Sequence, residues 1–230
     1  MFINRKPTMT LAVIVAVLGT LCGSSAAFAA SPSTDTKPPA TQVGMYMAGF
    51  DAAAAKAHGY KIVTYPNGDQ QSVPADPRST LPKSAVLHPN GARNTTLKSA
   101  LQSQQTATVV APSPSTQAAP ANTDYNEVWG NCGRAWIRVA QTGTNKVGIV
   151  SGFSNTPETA YYWIWNVSLS DVNGTSIQSY EHAIFDDKAT HTWQNLNQYG
   201  YTFDYVYSGG ATLIDGTICL AGHPDVSISL

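Results

Sequence analysis

The chain has 230 residues, of which only 12% are charged, and its formal net charge is −1. That length accommodates one medium domain, or a smaller one with extensions. The balance excludes the dense positive field that nucleic-acid binding needs, because after Thr123 only four cations, Arg134, Arg138, Lys146 and Lys188, face ten acids.

The amino terminus has the pattern of an export signal. Arg5 and Lys6 precede an apolar run over 11–21, and Ala27-Phe28-Ala29 places small residues where a peptidase would cut, so residues 1–29 read as a secretory signal peptide. The run is too short for a bilayer, and no membrane span is expected after cleavage. Leu21 is larger than the residue that lipidation at Cys22 would want. Loss of Cys22 leaves Cys132 and Cys219 as a pair in an oxidising compartment, where a disulfide is the default. In the chain-entropy picture a loop of that size is worth at most roughly 4.6 kcal/mol. Neither cysteine has the neighbours of a metal site.

Residues 30–44 are rich in Ser, Pro and Thr and read as a disordered mature start. Residues 45–73 read as a helix–hairpin unit. Asp51 caps a helix over 52–58, Gly59 follows where a left-handed residue is wanted, and strands over 61–65 and 70–73 flank the turn Pro66-Asn67-Gly68-Asp69. About thirty residues cannot build an independent core, so the unit docks on a larger domain or folds on a partner. The Pro-, Ser-, Thr-, Ala- and Gln-rich stretch over 74–123 reads as a flexible linker with a transient helix over 95–105. The alternative takes 30–123 as a removed pro-segment.

Residues 124–230 hold all five tryptophans and read as a mainly β, antiparallel β-sandwich with Greek-key-like connections. Strands are expected over 135–140, 147–153, 161–170, 175–185, 190–193, 201–207 and 211–220. The densest aromatic run puts Tyr161, Trp163, Trp165, Val167 and Leu169 on one face, and Asn173-Gly174 turns it into a hairpin. Gly209-Gly210 reads as a further turn. Tyr201, Phe203, Tyr205 and Tyr207 share one face and are expected in the core, opposite the more polar Thr202, Asp204, Val206 and Ser208.

The segment from Gly49 to Ile62, with Ala57-His58-Gly59-Tyr60 at its centre, then Gly130-Asn131-Cys132-Gly133 and Gly216-Thr217-Ile218-Cys219, resembles a group of small secreted actinobacterial proteins. In that group a helix and hairpin precede a cysteine-bridged, aromatic-rich β domain. The resemblance implies secretion, this fold and the Cys132–Cys219 pairing, and it transfers no catalytic residue.

Three sets of residues are candidates for function. Arg134, Trp136 and Arg138 alternate with the aliphatic Ala135, Ile137 and Val139, so the tryptophan should face outward between two guanidinium groups, as a platform or as a contact for the amino-terminal unit. Glu181, His182, Asp186 and His191 would gather at a hairpin end and could bind a cation or do acid–base work, the alternative being an acidic turn with flanking histidines. No serine sits in a G-x-S-x-G elbow; Ser151 has one glycine of the two. No cofactor pattern is present, and none is expected. The sequence therefore reads as a secreted, extracellular binding protein for a polysaccharide or a secreted protein partner. A hydrolase or lyase and a protein-interaction or inhibitor module are the alternatives.

Overall fold

The computed structural model describes residues 44–88, 94–106 and 122–230. The expected signal peptide, the disordered start apart from Gly44, and the centre of the linker lie outside the described residues. In chain order the elements are β1 (Tyr46–Phe50), α1 (Ala52–Ala57), β2 (Tyr60–Thr64), β3 (Gln70–Pro74), α2 (Leu97–Thr106), β4 (Thr123–Gly130), β5 (Gly133–Gly143) and β6 (Lys146–Ser154). Then follow β7 (Ala160–Asp171), β8 (Gly174–Asp186), β9 (Ala189–Asn197), β10 (Tyr201–Leu213), β11 (Thr217–Leu220) and β12 (Asp225–Ser229).

The protein is mainly β, with antiparallel sheets packed face to face. One sheet has the order β1-β11-β10-β7-β8, with β12 also paired to β10; the other has the order β4-β5-β6-β9. The chain crosses between them after β6, β8 and β9. Alternation along β7 sends Trp163, Trp165, Val167 and Leu169 into the space between the sheets, none of them more than 4% exposed. Phe153 of the opposite sheet meets the rings of Trp163 and Trp165 at 5.6 and 6.0 Å. Burying rings of this size dominates the core energetics. The Trp165 indole donates to Ser151 Oγ at 2.8 Å, and that hydroxyl donates to the Trp136 carbonyl at 2.7 Å, so a buried polar chain crosses from one sheet to the other.

Helix α1 forms as its sequence requires: Asp51 accepts from the amides of Ala53 and Ala54, both at 3.0 Å, and Gly59 follows at φ +83°. Of the two expectations for the unit over 45–73, docking is the one that holds: β1 pairs with β11, and Ser72 Oγ donates to the Asp215 carbonyl at 2.5 Å, which joins the unit to the large sheet. Part of the stretch read as linker is also ordered on that sheet. Leu97, Ala100 and Leu101 of α2 recur at helical spacing and pack on Ile164, Ile218 and Leu220, covering the outer side of the sheet.

Two expectations fail for steric and packing reasons. Gly209-Gly210 is not a turn but lies inside β10. A Cβ on Gly209 would sit 2.6 Å from Cε3 of Trp165, so the glycine is clearance for the indole. The faces of β10 are also opposite to the expected ones. Thr202, Asp204 and Val206 are fully buried, whereas Tyr201 is 41% exposed and Phe203, Tyr205 and Tyr207 are half-buried on the outer side. Register decides this, because Asp204 and Val206 stand opposite Leu169 and Val167, which already face inward.

Asp204 is therefore a carboxyl group in an apolar layer. Gln198 Nε2 donates to its Oδ1 at 2.6 Å, while Oδ2 of Asp204 and Oε1 of Gln198 are both buried without a partner. A proton on Asp204 would let the acid donate back to the amide and satisfy both oxygens. Burial, helped by the nearby Asp171, pushes the Asp204 pKa up to about 7 against the hydrogen bonds from Gln198 and the Ser170 amide. The native state then holds a proton that the unfolded chain has released, so this group's stabilising contribution is full below about pH 4 and is lost as pH rises to about 7. Chemical denaturation from pH 4 to 8 should show a decline on the order of a few kcal/mol from this group. Asp204→Asn should remove that decline and be the more stable protein at pH 8; an unchanged slope would contradict the assignment.

Candidate functional site

With α2 lying over the outer side of the larger sheet, the outer side of the β4–β5 hairpin is a place where several rings and charges meet in the open. Along β5, Ala135, Ile137 and Val139 are fully buried, and Arg134, Trp136 and Arg138 point the other way. Antiparallel pairing sets Trp129 opposite Arg134, Glu127 opposite Trp136, and Tyr125 opposite Arg138. Three aromatic side chains and three charged ones thus share one surface. Tyr125 and Trp129 are 46% and 53% exposed, which is unusual for side chains of that size.

Glu127 organises the group. Its carboxylate accepts from the Trp129 indole at 2.9 Å, from Arg134 Nη1 at 2.8 Å, and from the Tyr125 hydroxyl. The bonds from Tyr125 and Trp129, with Arg134 adding to them, hold its carboxyl below the usual range, so it is ionised at neutral pH. Arg134 also donates from Nε to Ser154 Oγ at 3.0 Å, and its guanidinium lies 5.5 Å from the centre of the Trp129 ring. Trp136 is half-buried, with its ring 6.4 Å from that of Tyr125. Thr123, Asp124, Tyr125, Arg134, Trp136 and Arg138 line a shallow trough of about 520 Å³. Gly152, opposite Trp136 on β6, has no room for a side chain, because a Cβ there would lie 1.9 Å from the Ala189 carbonyl oxygen on β9.

The surface is anchored from beneath. The Gly130-Asn131-Cys132-Gly133 turn carries Cys132, which is bonded to Cys219 on β11 of the other sheet, across 87 residues of sequence. Beside the bond, the Cys132 amide donates to the Met45 carbonyl and the Met47 amide to Asn131 Oδ1, each at 3.0 Å.

The structure brings Arg134, Trp136 and Arg138 together as the alternation required, but the ring beneath Arg134 is Trp129 and not Trp136. Sequence reasoning missed Tyr125, Glu127 and Trp129, although their alternation with Asp124, Asn126 and Val128 was there to be read. The other set does not converge. Glu181 lies on the outer face, bound by Tyr162 and by Lys98 at 3.0 Å. His182 and His191 flank Tyr180, with ring centres 6.0 and 3.6 Å from it. Burial lowers the His191 pKa. Asp186 accepts from the Asp187 amide at 2.7 Å in the exposed turn. Among the described residues no three His, Cys, Asp or Glu side chains are grouped to hold a metal ion, and no helix is long and apolar enough to cross a membrane. The rings of Phe203, Tyr205 and Tyr207 form a second row at spacings of 5.7 and 6.4 Å, without the paired charges of the first.

No protein-family model, no curated protein and no solved structure matches the chain. The functional reading rests on the geometry alone.

Glu127→Gln is expected to leave stability within about 1 kcal/mol of the parent, as for other exposed ion pairs. The near-ultraviolet circular dichroism should nevertheless weaken, because one of the two oxygens that accept from Tyr125 and Trp129 becomes an amide donor. A spectrum identical to the parent's would show that the carboxylate does not fix the rings.

Proposed function

We propose that the protein is a secreted, non-catalytic binding protein whose outer β4–β5 face takes up a carbohydrate chain. The observation that carries this reading is the Glu127-centred arrangement, in which the exposed rings of Tyr125 and Trp129 are fixed by one carboxylate beside Trp136. The C–H face of a pyranose ring stacks on an indole, and its hydroxyls bond to nearby guanidinium and carboxylate groups. Rings already held in place lose little freedom on binding, which favours affinity. An exposed tryptophan surface also has a cost in water, and a ligand that covers it recovers part of that cost.

The export signal read over 1–29 and the bond between Cys132 and Cys219 support action outside the cell. The spread of Glu181, His182, Asp186 and His191 over two faces and an exposed turn favours binding over the hydrolase or lyase alternative. A secreted protein partner would also use Trp, Tyr and Arg. The trough is lined by six residues, fewer than the roughly 20–30 a side of a stable protein interface.

Affinity measurements against a panel of soluble polysaccharides test the proposal. Trp136→Ala should weaken binding by about tenfold, while Tyr205→Ala, on the opposite sheet, should leave it unchanged. Loss with Tyr205→Ala alone would move the site to the other face.

A further inference from the structure

The two arginines of the trough differ in what they already hold. Arg134 is committed, through Nη1 to Glu127, through Nε to Ser154, and by its position against Trp129. Arg138 is exposed, and its side chain has no ion pair or hydrogen bond among the described residues. Its cross-strand neighbours are Tyr125 and Val150, a phenol already bound to Glu127 and an aliphatic group. The two acids on the paired strand are engaged elsewhere. Asp124 accepts the amides of Tyr125 and Ser227, both at 2.8 Å, and Glu127 is occupied by Tyr125, Trp129 and Arg134. The trough therefore contains one uncommitted guanidinium two residues along the strand from the Trp136 ring.

A guanidinium is a planar fork whose paired N–H groups match the two oxygens of a carboxylate. A neutral sugar would offer the fork only single hydroxyl acceptors, without the paired, charged oxygens that match it. A sugar bearing its own carboxylate would use both at once, because the carboxyl carbon of a uronate is attached directly to the stacking ring. We propose that the trough selects an anionic polysaccharide built of uronate units, with the ring lying on Trp136 and the carboxylate paired with Arg138. This rests on the glycan reading above. The specificity comes from where the single unpaired cation sits and not from a general positive field, since the domain as a whole is acidic.

The test uses the whole secreted chain and five probes: polygalacturonate, polyglucuronate, the fully methyl-esterified form of each, and polyphosphate. Esterification keeps the ring and removes the charge; polyphosphate keeps the charge and removes the ring. At least one free uronate polymer should bind about tenfold more tightly than its ester, with an affinity that falls as salt is raised. Arg138→Gln, at an exposed position, should leave the melting temperature unchanged and reduce that ratio to near one. Equal binding of acid and ester, an equal loss on both with Arg138→Gln, or polyphosphate binding as tight as the uronates would overturn this proposal while leaving the stacking surface in place. Binding to neither uronates nor esters, with neutral glycans still bound through Trp136, would overturn it likewise. Failure of every glycan would defeat the parent reading as well.

Discussion

The bond between Cys132 and Cys219 is the constraint on which the rest depends. It fastens the turn between β4 and β5 to β11, the strand between β1 and β10 of the opposite sheet, so the two layers cannot slide at the end where the platform hairpin begins. Without the cross-link, that hairpin would be held at its turn by one backbone bond, from Cys132 to Met45, and by the Met47 amide donating to the Asn131 side chain. Further along the strand, the chain of bonds from Trp165 through Ser151 to the Trp136 carbonyl repeats the attachment in the middle of β5. Trp136 is thus fixed through its own backbone to the most deeply buried tryptophan of the core. The side chains above it can be open to solvent because the main chain below is not free to move.

The same architecture decides which surface is open. A β-sandwich has two outer faces, and here one is partly sealed by α2 with Leu97, Ala100 and Leu101. The other carries a carboxylate that collects two aromatic donors and a guanidinium, and leaves a second guanidinium uncommitted. Exposing Trp129 and Tyr125 is unfavourable taken alone, and the bonds to Glu127 offset only part of it. A surface that keeps rings both exposed and immobile is better explained by what it contacts than by what it contributes to folding.

Much of this was legible from residue spacing, and the exceptions have definite causes. The aromatic run of β7, the Asn173-Gly174 hairpin, the capped helix at Asp51 and the outward side of Arg134, Trp136 and Arg138 all follow from periodicity and turn chemistry, which are local. What failed was non-local. Hydropathy put the aromatic side of β10 in the core, but pairing with β7 and β12 turned Asp204 inward, where Gln198, six residues earlier, meets its carboxyl group. The glycine pair in β10 has the signature of a turn, and only the position of the Trp165 ring shows it to be clearance. Strand β4 was silent because its inward residues Asp124 and Asn126 are polar, paired with Ser227 and Asp225 of β12. That silence hid Tyr125, Glu127 and Trp129, half of the candidate site.

The central claim is that ligand meets the rings of the β4–β5 face and not those of the core or of β10. Each of the five tryptophans gives a separate indole N–H resonance, so a titration followed by nuclear magnetic resonance reads the claim directly. On addition of the polysaccharide that binds, the Trp129 and Trp136 signals should move together while those of Trp163 and Trp165 stay fixed. Movement confined to the core tryptophans, or backbone amide shifts at Phe203 and Tyr205 with the Trp129 and Trp136 indoles unmoved, would contradict the account.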